Sequence, residues 1–146
     1  MHLDVRRLAL AGVAGTAVMT MVGLWVAPLM GIPAMNPAAM LAMAMGGMLA
    51  AGWAAHFMIG IVLAVGYGIV AGHLPGPAPL RGALYALAPW LMAQVVVMPM
   101  MGAGLFSGSM VLAAGSMIGH VMYGAVVGAV AGVPGARRVA PAGARA

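Results

Sequence analysis

The sequence has almost no charge with which to face water. Charged residues make up 5% of its 146 residues, whereas a soluble domain carries about 25%. Its six basic residues are all arginine, and its single acid is Asp4. Because hydrophobic residues make up 65% of the chain and the mean hydropathy is +1.13, its main solvent must be hydrocarbon. Length and composition together predict one integral membrane domain over residues 1–146.

Other absences exclude whole classes of chemistry. Without cysteine, the chain can form no disulfide, thiolate metal site or cysteine nucleophile. With one carboxylate, it cannot use a carboxylate pair for acid/base hydrolysis. It also lacks the phosphate-loop, dinucleotide, HExxH and nucleophile-elbow motifs. We therefore expect no enzymatic activity, and membrane topology explains the net charge of +5 better than nucleic acid does.

Four apolar segments are long enough to cross a bilayer, which takes about 20 helical residues. They cover residues 8–30, 48–71, 80–101 and 110–131, with glycine and proline between them. In lipid, backbone groups must be hydrogen-bonded within their own segment, so helices are expected. The sequence therefore predicts an all-α bundle of four transmembrane helices. Asn36 followed by Pro37 also predicts a short helix at the outer interface, or an early start of the second span.

The arginines predict the orientation of this bundle. They precede the first span, separate the second from the third, and follow the fourth. They are Arg6, Arg7, Arg81, Arg137, Arg138 and Arg145. In a four-span chain these places lie on one side, which the positive-inside rule assigns to the cytoplasm. We expect a bacterial inner-membrane protein with both termini cytoplasmic and residues 133–146 forming a cytoplasmic tail.

The two halves of the chain match each other at two places. The first span ends in PLMG at residues 28–31, and the third ends in PMMG at 99–102. The second span contains HFMIG from His56, and the fourth contains HVMYG from His120. We interpret this as a parallel repeat of a two-helix unit, about 8–72 and 80–132, with both histidines in the outer half of the bilayer.

This pattern resembles a family of small, uncharacterised bacterial inner-membrane proteins with four helices and a duplicated helix of H-x-x-x-G type. The residues that carry the resemblance are 52–60, 99–102 and 119–124. The resemblance implies a fold and a membrane location, and it implies no particular activity.

The histidines share helix faces with small residues. His56 and Gly60 lie on one face of the second span, and His120 and Gly124 lie on one face of the fourth. Since glycine lets helix backbones approach closely, these faces are expected to point into the bundle. Further polar residues are expected to join them between the helices. These are Thr16, Thr20, Gln94 and Ser116.

Four interpretations of this core stay open. His56 and His120 could bridge helices by hydrogen bonds in a structural or accessory subunit. They could be the axial ligands of a b-type haem, with Gly60 and Gly124 making room for the macrocycle. They could bind Cu(I) together with thioethers, the candidates being Met98 and Met101. Finally, the chain could be a small transporter that builds its pathway as a homo-oligomer or within a larger membrane complex.

Overall fold

A computed structural model describes residues 4–133 of the chain. Within that range all regular structure is helical, and four helices are long and apolar enough to cross a membrane, which confirms the predicted fold class. In chain order the helices are α1 (Val5–Leu29), α2 (Pro37–Ala44), α3 (Leu49–His73), α4 (Ala78–Met100) and α5 (Met110–Ala131), of which α2 is too short to span. Residues 134–146 of the predicted tail lie outside the described range.

The short helix α2 begins where the sequence predicted. The Asn36 side chain accepts a hydrogen bond from the backbone N–H of Ala39 at 3.0 Å, and Pro37 occupies the first helical position. This helix packs against α3, where the carbonyl of Ala38 lies against Gly52. The loop between α1 and α3 is therefore folded onto the bundle.

Hydrogen bonds tie all four spanning helices together at one end of the bundle, which we call the arginine end. Arg7 on α1 donates from Nε to a carbonyl of α5 at 2.6 Å. Arg81 on α4 donates from Nη1 to a carbonyl at the end of α3 at 2.8 Å. The Tyr67 hydroxyl on α3 lies 3.2 Å from the carbonyl oxygen of Ala78 and 3.0 Å from that of Gly132. The arginines at 7 and 81 thus lie at the same end, as the four-span topology requires.

Nearer this end, the helices pack backbone against backbone at glycine. On α1, Gly12 lies against the backbone of Gly60 and Ile61 in α3. Gly82 of α4 and Gly124 of α5 face each other, so that a Cβ atom on either would meet the carbonyl oxygen of the other. Only small residues permit such an approach between membrane helices.

Away from the arginine end, both α1 and α4 are interrupted by a π-helical turn. The turns are Val22–Val26 and Ala93–Val97, and a proline follows each at Pro28 and Pro99. Proline has no N–H to donate, and its ring clashes with the carbonyl of the preceding turn. A locally widened helix relieves both problems. The sequence analysis predicted the helices but not these turns.

Helices α1 and α4 also end in the same way. The final glycines, Gly31 and Gly102, have φ of +76° and +78°, a left-handed conformation that favours glycine. The residue after each glycine donates its N–H to the carbonyl five residues before it, at 3.1 Å in α1 and 2.9 Å in α4. Both endings are Schellman motifs. The two-helix repeat stays a prediction, and these matching endings agree with it.

Replacing Gly82 by alanine is expected to destabilise the fold, because the new Cβ would meet the backbone carbonyl of Gly124. We expect the free energy of unfolding to fall by about 1–3 kcal/mol, as is typical of overpacking. Titration of the purified protein with sodium dodecyl sulfate measures this. Gly72→Ala is the matched control, since nothing lies within 4 Å of its added Cβ. Equal stabilities of the two variants would contradict the proposed packing.

Candidate functional site

In the half of the bundle away from the arginine end, the helices surround a cavity of about 420 Å³. All five helices contribute to its wall, including both π-helical turns through Gly23 and Gln94. This volume lies in the range of about 300–1,000 Å³ that is usual for small-molecule sites. The wall is mostly apolar, and no charged side chain of the described residues lines it.

Most of the residues predicted from the sequence lie around this one cavity. Seven of the ten line it. They are Thr16, His56, Gly60, Gln94, Met98, Ser116 and His120. The two histidines, which belong to different helices and are 64 positions apart in the chain, therefore face the same space.

The other three predicted residues, Thr20, Gly124 and Met101, are not among the cavity-lining residues. Thr20 lies behind His56 and is hydrogen-bonded to it. Gly124 packs against Gly82 of α4. Met101 lies in the turn that ends α4. Of the two methionines suggested as metal ligands, the structure thus brings only one to the histidines.

The two glycines expected to make room for a macrocycle lie at helix contacts. A Cβ atom on Gly60 would meet Oγ1 of Thr16, and one on Gly124 would meet the carbonyl oxygen of Gly82. Both positions therefore serve the close packing of helix pairs. The cavity therefore does not arise from the missing side chains of these glycines. It lies where the helices separate, away from these contacts.

His56 on α3 is held in place by a hydrogen bond to Thr20 on α1. Its Nε2 lies 3.0 Å from Oγ1 of Thr20. The Thr20 hydroxyl already donates its hydrogen to the carbonyl of Thr16 at 2.8 Å, so its oxygen is the acceptor toward His56. With the Thr20 hydrogen directed to Thr16, Nε2 of His56 carries the ring hydrogen, and Nδ1 keeps its lone pair. This bond joins α3 to α1.

His120 is held in place by hydrogen bonds within its own helix, α5. Its Nδ1 lies 2.8 Å from the carbonyl oxygen of Ser116 and 3.5 Å from the hydroxyl oxygen of the same residue. A carbonyl oxygen can only accept, so Nδ1 carries the ring hydrogen and Nε2 keeps its lone pair. Both partners belong to α5, so these bonds bridge no helices. The two histidines thus adopt opposite tautomers.

Each ring keeps one nitrogen with a lone pair, Nδ1 in His56 and Nε2 in His120. Within residues 4–133, no buried side-chain nitrogen or oxygen lacks a hydrogen-bond partner. The described residues supply no hydrogen-bond partner to these two nitrogens, so both are accessible at the protein surface or in the cavity that the two rings line. The residues that line the cavity thus carry hydrogen-bond acceptors on both rings and donors on Asn36, Gln94 and Ser116.

Three neighbouring hydroxyls donate within the protein. Thr16 donates to a carbonyl of its own helix at 2.8 Å, and Ser107 donates to Oε1 of Gln94 at 2.8 Å. Tyr123 donates to the carbonyl of Gly60 at 2.6 Å, which joins α5 to α3. These side chains shape the cavity wall, and their hydrogens are already used there.

The π-helical turn of α1 holds the following loop across the cavity. The N–H of Ala27 bonds to the carbonyl of Val22 instead of that of Gly23, and Pro28 has no N–H to offer. The freed Gly23 carbonyl accepts from the N–H of Met35 at 3.0 Å. Met35 in turn lines the cavity. The proline therefore acts through the backbone to place a side chain on the site.

Tyr123 and Ser107 also line the cavity and were not predicted as site residues from the sequence. Tyr123 lies three residues after His120, so helical spacing alone could have placed it on the same face. Ser107 lies in the turn Leu105–Gly108 with φ of +60°, and no local signal indicates that this turn folds back onto Gln94.

We predict that the two histidines carry their ring hydrogens on opposite nitrogens, Nε2 in His56 and Nδ1 in His120, because the Thr20 hydroxyl donates to Thr16 and the Ser116 carbonyl can only accept. Solid-state NMR of isotope-labelled histidine in lipid bilayers, with assignments from single His→Phe variants, measures this directly. Thr20→Val should change the His56 signals and leave those of His120 unchanged, whereas Thr20→Ser should change neither. The same tautomer at both positions would contradict the assignment.

Comparison with curated proteins and with solved structures finds no match. A family model described as a family of unknown function, DUF6789, matches residues 3–140. The matched range includes all five helices, both histidines and every residue that lines the cavity. The chain therefore belongs to this family of unknown function, DUF6789.

Proposed function

We propose that this chain is an accessory integral membrane protein, without enzymatic activity, that binds one small uncharged ligand through His56 and His120. The observation that carries this proposal is that the rings of His56 and His120 line one largely apolar cavity of about 420 Å³. An apolar pocket with a few convergent polar groups is the usual form of a small-molecule site.

A purely structural role explains only one of the two histidines. His56 bonds to Thr20 and so joins α3 to α1. The hydrogen bonds of His120 stay within α5. An ionisable side chain inside a membrane domain is costly, and it is by default a candidate for function. A ligand that uses the free Nε2 of His120 supplies the missing role.

The orientation of His56 makes b-type haem the weaker ligand hypothesis. Its free nitrogen is Nδ1, which neighbours the ring carbon that bears Cβ, so a planar macrocycle bound there would clash with Cβ. Haem propionates also favour cationic partners. Arg7 and Arg81, however, hydrogen-bond at the opposite end of the bundle.

Copper(I) is the second candidate ligand, and one observation favours it. Imidazoles and thioethers suit this ion, and five methionines line the cavity with the histidines. They are Met19, Met35, Met40, Met92 and Met98. An ion no larger than a water molecule, which occupies about 30 Å³, would leave most of this cavity empty. The volume therefore supports an organic ligand ahead of a bare ion.

The closed arginine end supports binding ahead of transport. The side chains of Leu8, Tyr67 and Val127 are fully buried between that end and the cavity. A transport pathway would have to pass through this packed layer. The cavity is thus closed by packed side chains toward the arginine end.

We further propose that the protein lies in the bacterial inner membrane with its arginine end in the cytoplasm. Arg7 and Arg81 lie at that end, and the positive-inside rule places such residues on the cytoplasmic side. Both termini would then be cytoplasmic, and the cavity would lie in the outer half of the bilayer. Exposed apolar side chains of α4, such as Leu91 and Val96, suit lipid or a neighbouring subunit.

The proposed function predicts a ligand that stays with the purified protein. We expect native mass spectrometry with organic extraction to find about one uncharged compound per wild-type chain. His56→Phe/His120→Phe should lose it, whereas the exposed residue change His73→Phe should not. An absorption spectrum and metal analysis of the same samples would reveal haem or copper. Identical contents in the wild type and the double variant would overturn the proposal.

The proposed orientation predicts where fused reporters are active. A reporter that works only in the cytoplasm should be active at the C-terminus and in the loop near Gly76. A reporter that works only outside the cytoplasm should be active in the loop near Gly104, which belongs to the opposite end of the bundle. The reverse pattern would contradict the proposed topology.

A further inference from the structure

We infer that the ligand is an uncharged lipid, a hydrocarbon chain with an uncharged polar head group, and that it enters the cavity from the bilayer through a lateral opening between α3 and α4. The inference rests on the proposed function and names the class of ligand and its route to the same site. It follows from the contacts between the helices, the exposure of the cavity wall and the lack of charge there.

The contacts between α3 and α4 are concentrated toward the arginine end. There Arg81 donates to the carbonyl of Ala71, and the Tyr67 hydroxyl lies 3.2 Å from the carbonyl oxygen of Ala78. The rings of Tyr67 and Tyr85 also contact each other, with centroids 5.8 Å apart. On the cavity side of these tyrosines, no hydrogen bond within residues 4–133 joins α3 to α4. The two helices pack against each other far less closely than α4 packs against α5.

The other neighbouring helices are joined beside the cavity itself. Thr20 on α1 is hydrogen-bonded to His56 on α3 at 3.0 Å. Trp90 on α4 donates from Nε1 to a carbonyl of α5 at 3.1 Å. Helices α1 and α5 touch at Gly15, where an added Cβ atom would meet Tyr123. Among the described helices, the pair α3 and α4 is therefore the one that leaves the side of the cavity open.

Two residues of the cavity wall are exposed on this side. Ile59 of α3 is 46% exposed, and Met92 of α4 is 53% exposed. Ile59 lies ten residues from Leu49, where α3 begins, and Met92 lies eight residues from Met100, where α4 ends. At 1.5 Å per residue they are about 15 Å and 12 Å from these helix ends, near the middle of a hydrocarbon core of about 30 Å. The medium that reaches the cavity wall here is therefore the interior of the bilayer.

Loop segments cover the end of the cavity away from the arginines. Met35 is held there by the hydrogen bond from its N–H to the carbonyl of Gly23 at 3.0 Å. Ser107, in the turn after α4, donates to Oε1 of Gln94 at 2.8 Å. One lining residue of this end, Ala103, is exposed. Entry from water past Ala103 is thus the alternative route, and blocking each route separately distinguishes the two.

The cavity wall suits an uncharged polar head group. No Asp, Glu, Lys or Arg of the described part of the chain lines it, and a charge bound there would lose its hydration without a charged partner. Asn36, Gln94 and Ser116 carry hydrogen-bond donors, and both histidines carry acceptors. A hydroxyl head group both donates and accepts, so it can bond to this wall whichever ring nitrogens face it. The hydrocarbon chain then leaves between α3 and α4 and stays in the bilayer.

Photolabelling of the protein in liposomes tests the class of ligand. The probe is hexadecanol that carries a diazirine next to its hydroxyl end, and the matched control is its sulfate ester. Mass spectrometry of peptides locates the label. We expect the alcohol to label cavity-lining residues at least about tenfold more than the sulfate does, because the wall offers a charge no partner. Equal labelling of the cavity by both probes, or alcohol label confined to residues outside the cavity, would overturn the inference.

Single cysteines test the route, since the chain has no cysteine of its own. Each variant is reacted with N-phenylmaleimide in detergent, checked by intact mass and then reconstituted. Ile59→Cys and Met92→Cys should lose most of the cavity labelling by the alcohol, because the attached ring fills the opening. Val62→Cys and Leu91→Cys, exposed positions of the same helices outside the cavity wall, are the matched controls and should keep it. Ala103→Cys should keep it as well.

Two results would contradict lateral entry. One is cavity labelling that is lost at Ala103→Cys and kept at Ile59→Cys and Met92→Cys, which would indicate entry from water. The other is equal cavity labelling in all the reacted variants.

The outcome also separates the inference from the proposed function. If the alcohol does not label the cavity while the purified protein retains another uncharged compound that the double histidine variant loses, the inference fails and the proposed function stands. If the cavity is not labelled and no compound is retained, both fail.

Discussion

At Gly82 and Gly124, α4 and α5 approach so closely that neither helix has room for a Cβ atom. Gly12 and Gly60 form the corresponding contact between α1 and α3. Stiff helices that touch at one level must separate elsewhere along their length. The hydrogen bonds of the arginine end prevent separation on that side. The helices therefore separate on the other side, and the cavity lies there.

Helices α1 and α4 share a π-helical turn and a Schellman ending, whereas the two histidines have different hydrogen-bond partners. Eight residues after Gly12 in α1 comes Thr20, and eight after Gly82 in α4 comes Trp90. Thr20 accepts from the ring of His56, whereas Trp90 donates its Nε1 hydrogen to a carbonyl of α5 at 3.1 Å. His120 has no hydroxyl opposite it and bonds to its own helix. This one difference between the halves gives the two rings opposite tautomers.

Local sequence signals predicted the helices well, because hydropathy, caps and breakers act over short distances. The fourth span, Met110–Ala131, was predicted with the bounds that the structure has, and Asn36 caps α2 as expected. The histidine environment depends on partners far apart in the chain, such as Thr20 and His56, 36 residues apart. Helical spacing predicted that His56 and Gly60 point into the bundle, and both are buried. No sequence pattern shows that Thr16 fills the space beside Gly60.

A largely apolar, uncharged cavity lined by two histidines says more about the ligands that the protein can bind than its family membership does. The most direct test is an experimental structure of the protein in lipid at a resolution that shows bound small molecules. The account predicts a small uncharged ligand in the cavity, within hydrogen-bond distance of the rings of both His56 and His120. A structure in which methionine side chains fill the cavity and the two rings contact only protein would contradict it.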